Sequence, residues 1–541
     1  MSNKKNNFLV QGSILAMAGI LTRVIGIIYR IPLTNILGNG ASAYSIAYDI
    51  YSLFLLISSL SLPLAVSKIV AARMAKGEVR NAKKALKGSV IISGALGIAV
   101  SILVFVFADK LAALWGFPSA GMALKVLAPT LFVMCILGVL RGFFQGLGTM
   151  IPTAMSQIFE QIVNAIVSVA AAYVLYDMGS SVGKAVEYSA AGGTLGTALG
   201  ALTALLFMIF VFLVYRHNFN RMVRRDRYSY DETYKELSKV LVITIFPVLL
   251  STTIYNIGSI IDSAMYGNIM GRVFGFSQEE YEGYWSIYST QYRLLTTAPI
   301  AIASALSSAV VPSLIRSITN GDIRVLKGKI ESSIRLTMII SIPCGIGLTV
   351  LAEPVISLLF EDNGLQGDAV MLMRLSVFVV CAYSFSTITN SILQGIDKMK
   401  LPVIHSAISL GAHIFILSGL LLMKMDVYAV AVADIIFALM VCFMNIAAIR
   451  KHIGYRQEVI KTFIMPLLSA LIMGGMSWLI YKGLYMLAGS VFVPLIISIL
   501  AAIVIYGVLL MVFKVVNESE IRMFPGGSRL VPILKRTKLL S

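Results

Sequence analysis

Uninterrupted apolar stretches about twenty residues long recur down this chain, and no other feature of the sequence narrows the fold so far. Gly88–Ala108, Tyr188–Tyr215, Val240–Ile261, Leu294–Ile315, Leu375–Ile396, Thr462–Tyr481 and Gly483–Phe513 contain no Asp, Glu, Lys or Arg. A hydrocarbon core about 30 Å thick takes roughly 20 helical residues to cross. Seven more stretches qualify once isolated charges or histidines are admitted: 8–31, 41–66, 122–146, 151–176, 331–359, 403–424 and 427–449. That makes fourteen spans, numbered here in chain order. Barrel strands would alternate apolar and polar residues over about ten positions, and the sequence shows no such pattern. The expected fold class is therefore an all-α integral membrane protein of about fourteen transmembrane helices.

Composition closes the alternatives. Apolar residues are 58% and charged residues 13% of the 541, against roughly 45–50% and 25% in soluble domains. A soluble interior could not hide that much apolar surface. The net charge of +18 does not indicate nucleic acid, because the cations sit in short loops between apolar runs and not along one polar face. Lys4 and Lys5 precede the run Phe8–Ile31, which is too long for a signal-peptide core and reads as an uncleaved first span. Cys135, Cys344, Cys381 and Cys442 stand singly in apolar stretches, as packing residues do. The four histidines show no metal-ligand spacing, so no metal and no cofactor are expected.

Lys and Arg set the orientation. They concentrate in the N-terminus, the loops after even-numbered spans and the tail, while the opposite loops hold Lys110, Lys184, Arg272, Lys424 and Lys482. Both termini are expected in the cytoplasm of a bacterial cell whose plasma membrane the chain crosses many times.

The chain also repeats itself. Lys76-Gly77-Glu78-Val79-Arg80 is echoed by Asn320-Gly321-Asp322-Ile323-Arg324, an offset of 244. Gln145-Gly146 with Met150 and Pro152 is echoed by Gln394-Gly395 with Met399 and Pro402, an offset of 249 for the first pair. Six spans separate the echoes, so the halves share orientation and should be related by an axis along the membrane normal, as in parallel transporter repeats. The resulting division is an N-lobe at 1–215 (spans 1–6), a cytoplasmic linker at 216–238, a C-lobe at 239–450 (spans 7–12), spans 13 and 14 within 451–513, and a basic tail at 514–541. The tail's cations suit an anionic inner leaflet.

No catalytic constellation is present. The nearest approach to a phosphate-binding loop, Gly179-Ser180-Ser181-Val182-Gly183-Lys184, is one residue short and on the wrong side. A pathway through the helices is left as the default function, and ionisable groups inside the bilayer are its markers, since each costs a few kcal/mol or more without water or a partner. Arg23 and Arg30 share one face of span 1, about 10 Å apart. Arg23, Asp49 on span 2 and Arg293 on span 8 are expected at a similar depth of roughly 12–14 Å, around a cavity drawn from both lobes. Arg30 either lines that cavity or reaches the headgroups, and Asp49 is read as counter-charge to Arg23. Asp262, Glu160 and Asp434 either bind a coupling cation or pair structurally. Arg141 and Arg374 are placed near helix ends, and Lys125 and Arg335 are expected to snorkel. Gly192, Gly196 and Gly200 form a small-residue stripe for close helix packing. Pro247, Pro299 and Pro343 permit kinks. Guanidinium groups favour phosphate or carboxylate, so the expected passenger is an anion.

Fourteen spans, the arginines of spans 1 and 8, the repeated Gln-Gly…Met…Pro turn, Arg23, Arg30-Ile31-Pro32-Leu33 and Tyr48-Asp49 resemble the lipid II flippases (MurJ-like) of the multidrug/oligosaccharidyl-lipid/polysaccharide exporter superfamily. The N-terminal stretch is most similar to the polysaccharide biosynthesis, stage V sporulation protein B-like branch. The resemblance implies two six-helix lobes plus two C-terminal helices, and alternating access through a cationic cavity. It implies an undecaprenyl-pyrophosphate-linked cell-wall precursor as passenger, lipid II first, with Arg23, Arg30, Asp49 and Arg293 meeting the headgroup. Coupling to Na+ or H+, or to the membrane potential, a single working chain among membrane lipids, and no enzymatic activity belong to the same expectation. Span 2 departs from the pattern: it is uncharged from Ile50 to Ser67, where the family carries a further basic residue. Rival readings are a teichoic-acid or capsular repeat-unit flippase and a cation-coupled multidrug exporter. A membrane glycosyltransferase would need catalytic carboxylates and a long external loop, which are not found.

Overall fold

The computed structural model describes residues 2–56, 58, 62–226, 230, 232–233, 236 and 257–515. Among these residues all regular structure is helical, and eleven helices are long and apolar enough to cross a membrane. Fourteen were expected. The expected span 2 divides between two shorter helices, most of the expected span 7 lies outside the described residues, and the expected span 8 falls within a helix at Arg293–Thr319 that is not among the eleven. Pro247 and the basic tail beyond Val515 also lie outside the described residues.

The chain divides into two compact units, Met1–Ser286 and Ile287–Ser541. The first contains α1 (Ser2–Leu37), α2 (Gly40–Leu55), α3 (Leu62–Ala75), α4 (Val79–Leu114), α5 (Gly121–Gly146), α6 (Ile151–Ser180), α7 (Ala185–Arg225), α8 (helical at 257–268) and α9 (Gln278–Ser286). The second contains α10 (Arg293–Thr319), α11 (Ile323–Val350), α12 (Ala352–Leu359), α13 (Gln366–Met373), α14 (Ser376–Gly395), α15 (Lys400–Leu422), α16 (Asp426–Ile453), α17 (Met465–Ala488) and α18 (Phe492–Val512). A π-helical turn, Ile287–Tyr292, leads into α10.

Two boundaries differ from the sequence reading in ways that matter. The first helix does not stop near Ile31 but runs through Pro32 to Leu37. A proline removes one backbone hydrogen bond, a defect that membrane helices accommodate. The helix of span 6 continues past Tyr215 to Arg225.

The small-residue stripe packs as expected. A methyl group at Gly192 would strike the Ala171 carbonyl, whose carbon would be 2.6 Å away, and one at Gly196 would lie 2.5 Å from the Ser168 backbone nitrogen. Only glycine lets α7 approach the α6 backbone so closely. Cys135 and Cys442 are buried, and each thiol points at a backbone carbonyl, of Ser58 and Ala382 respectively.

The two sequence echoes fold alike. The Glu78 amide donates to the Arg73 carbonyl (2.9 Å) and that of Asp322 to Ser317 (3.2 Å), both beside glycines in the left-handed region, Gly77 and Gly321. These are helix ends closed by a left-handed residue. The Thr149 amide donates to Phe144 (3.1 Å) and that of Lys398 to Leu393 (2.9 Å), again at matched positions. Gly146 packs against Val70, and Gly395 against Leu314. Val70 and Leu314 are themselves 244 apart.

In the first unit, residues 38–42, 113–121 and 268–286 are tied together at one end. Tyr281 donates its hydroxyl to the Gly116 carbonyl (2.7 Å), and Asn268 its side-chain amide to Leu114 (2.8 Å). Glu282, 4% exposed, accepts from Ser119 (2.7 Å), Gln278 (2.8 Å) and Ser42 (3.3 Å). It lies outside the membrane-spanning segments. Burial pushes its carboxyl above the usual range, with the three donors opposing and Glu187 adding. A carboxyl raised in this way contributes its stability below the unfolded pKa of about 4.3, and loses it as pH rises through the folded value. Glu282→Gln removes the titration, so the fall in melting temperature from acid to neutral pH should be shallower in the variant. An unchanged pH profile would show that another group governs it.

Candidate functional site

With α1 ending at Leu37 and α2 beginning at Gly40, the depths of the intramembrane charges change. Arg30 is seven residues, about 10 Å, from its helix end, and Asp49 is nine residues, about 14 Å, from its own. Arg23 is about 21 Å from the Leu37 end. The expected shared layer of Arg23 with Asp49 is therefore corrected: Arg30 is the arginine at the level of Asp49.

Around Arg30 the first unit supplies phenols. Arg30 is exposed and adjoins Tyr29, with Tyr44 and Tyr48 of α2 nearby. Tyr44, Tyr48 and Tyr51 recur at helical spacing along one side of α2, with ring centroids 5.4 and 5.8 Å apart. Asn164 on α6 ties this group to the core: its amide donates to Tyr29 (3.3 Å), and its carbonyl accepts from Ser168 (2.9 Å) and Thr197 (3.3 Å). Tyr48 and Thr197 share a hydrogen bond of 2.9 Å. Such a network fixes ring positions with neutral hydrogen-bonding groups. Arg23 is also exposed on α1, and Asp49 is half-buried on α2.

The other sequence candidates have these surroundings. Glu160 accepts a 2.7 Å hydrogen bond from Arg141, whose Nε donates to Ser156 (2.9 Å). Arg141, read from sequence as near a helix end, is thus a buried ion-pair partner. Arg335, expected to snorkel, is buried and pairs with Glu331 one turn earlier. Lys125 pairs with Asp109 at 2.6 Å. Asp262 is buried on α8. In the second unit Arg293 is half-buried, and Asp434 accepts from Tyr288 (2.7 Å) and Tyr383 (3.0 Å).

The offset of 249 also links buried polar positions. Asn445 donates to Thr389 (3.0 Å) and Asn390 (2.8 Å) and shares a 2.7 Å hydrogen bond with His405. Asn390 and His405 stand 249 residues after Arg141 and Ser156. One unit builds a charged pair where the other builds an amide and imidazole cluster.

The tyrosine row and Asn164 were missed from the sequence. Tyr44, Tyr48 and Tyr51 could have been found from their spacing; Asn164 could not, because its partners come from three helices.

Comparison with known proteins follows the same lines. Residues 8–318 match the family described as polysaccharide biosynthesis protein, and residues 290–417 match MatE. The lipid II flippase MurJ of Bacillus subtilis (strain 168) is 26% identical over 486 residues, covering 86% of this chain and 87% of its own. Stage V sporulation protein B of the same organism is 25% identical over 534 residues, covering 97% and 99%. Among solved structures, an inward-facing multidrug resistance MATE family transporter of the MOP superfamily superposes with a TM-score of 0.69 at 17% identity, over 83% of this chain and 98% of that one. The lipid II flippase MurJ in an inward closed conformation superposes with a TM-score of 0.68 at 15% identity, over 92% and 98%.

Proposed function

This chain belongs to the polysaccharide biosynthesis protein family, and from that premise we propose that it is a flippase for an undecaprenyl-pyrophosphate-linked cell-wall precursor, lipid II. It carries the headgroup from the inner to the outer leaflet of the bacterial plasma membrane, with both termini cytoplasmic. The observation that supports this reading most is Arg30: an exposed guanidinium about 10 Å from its helix end, with the phenols of Tyr29, Tyr44 and Tyr48 beside it. A pyrophosphate offers that group two charged oxygens for paired hydrogen bonds.

In the proposed cycle the arginines Arg30, Arg23 and Arg293 serve the diphosphate headgroup while the lipid tail stays in the bilayer. Binding favours the state closed to the inside, and release outside resets it. Asp49 balances the arginines. Asp434, Asp262 and Glu160 are the acids available for Na+ or H+ coupling, or the membrane potential drives the step alone. One chain is the working unit. The family description favours a second reading, a teichoic-acid or capsular repeat unit carried on the same lipid diphosphate.

The test is depletion of the protein with measurement of lipid II exposed on the outer leaflet, complemented by single variants. Arg30→Ala should lower exposure by roughly tenfold or more, the value of one charged hydrogen bond at about 1.5–3 kcal/mol. Arg30→Lys should retain part of it. Normal lipid II exposure after depletion, with redundant proteins deleted, would remove the lipid II assignment. Full rescue by Arg30→Ala and Arg293→Ala together would remove the arginine site.

A further inference from the structure

Helices α4 and α7 of the first unit both outrun the bilayer. α4 has 36 residues and α7 has 41, about 54 and 61 Å at 1.5 Å per residue, against a hydrocarbon core of about 30 Å. Their extensions lie together: Lys83 donates its ammonium to the Asn220 side chain (2.9 Å), and Asp226 accepts from the Arg80 backbone (2.9 Å). Val79, Leu86 and Phe219 belong to one buried apolar cluster, which locks the two extensions side by side.

The remaining faces are cationic. Arg80, Lys83 and Lys87 recur at helical spacing along α4, and His217, Arg221 and Arg224 do so along α7; all six are exposed. Lys83 and Asn220 put the two rows next to each other. Of the acids nearby, Glu232 holds Arg73 (2.9 Å), and Asp226 accepts from the Arg80 backbone amide.

We propose that this two-helix ridge is a binding site for the headgroups of anionic phospholipids in the leaflet it borders. Like charges packed so closely repel one another unless an anionic surface compensates them. The ridge begins at the bilayer edge, because Lys87 and Arg216 directly adjoin the charge-free stretches at 88–108 and 188–215. Its nearest cations therefore stand at headgroup level, where phosphodiester oxygens can bridge the two rows. The more distant ones remain within a few Debye lengths of the surface. This assignment does not depend on the passenger.

The full chain is placed in nanodiscs of phosphatidylcholine, with and without phosphatidylglycerol, and its melting temperature and retained lipid are measured. The wild type should melt higher with phosphatidylglycerol and retain that lipid, with the gain shrinking as salt rises. The triple variant Lys83→Gln/Arg221→Gln/Arg224→Gln should lose at least half of the gain. Its melting in pure phosphatidylcholine separates lost lipid binding from misfolding. The charge-keeping variant Lys83→Arg/Arg221→Lys/Arg224→Lys should keep the response. A wild type indifferent to phosphatidylglycerol, or a neutralised variant that responds fully, would overturn the proposal. So would an acidic polypeptide binding the ridge in the absence of any lipid response.

Discussion

Gly192→Ala is expected to lower the unfolding free energy by about 3 kcal/mol, the upper end of the cost of overpacking. The added carbon meets the Ala171 carbonyl and the Ala172 nitrogen, the latter at 2.7 Å. These are backbone atoms of a packed helix and cannot rotate away, so relief requires α6 and α7 to separate. Separation would also disturb the Ser168 hydroxyl, which donates to the Gly193 carbonyl at 2.7 Å. Gly475 provides the control. It is also helical, but a methyl group there meets nothing within 4 Å, so alanine should be neutral or stabilising by up to about 1 kcal/mol. Denaturation in detergent reads both variants. Equal behaviour would mean that the helices are not held at the distance described.

Glu160→Ala should cost about 3–5 kcal/mol, the loss expected when one member of a buried ion pair is removed. The Arg141 side chain is 9% exposed and that of Glu160 24%, so water cannot replace the carboxylate fully. Ser156 remains as a partner for Nε, but a hydroxyl does not neutralise a guanidinium. Glu160→Gln should fall between wild type and alanine. The double variant Arg141→Met/Glu160→Leu should recover most of the loss, since replacing both charges by apolar groups is often close to neutral. A double-mutant cycle gives the coupling directly. If the double variant were as unstable as the sum of the singles, the two side chains would not be acting as a pair.

How far the sequence could be read depended on how local each feature is. The apolar runs and the two turn echoes were legible, and the turns at Gly77 and Gly321 close in the same way. The end of the first helix was not: the span was drawn to Ile31, whereas the helix continues through Pro32 to Leu37. That one boundary exchanged Arg23 for Arg30 at the level of Asp49. Arg335 was misread for another reason: its charge suggested a route to the headgroups, whereas Glu331 one turn away holds it in the interior.

By itself, the sequence determined the solvent and the helical class, because hydrophobic burial follows from each residue's own chemistry and from its neighbours along the chain. Which charges are neutralised was decided only in three dimensions. Arg141 and Glu160 come from different helices, as do Arg30's neighbours Tyr29 and Tyr48. An ion's cost inside a membrane depends on the groups within a few ångströms, and helix packing, not chain order, selects them.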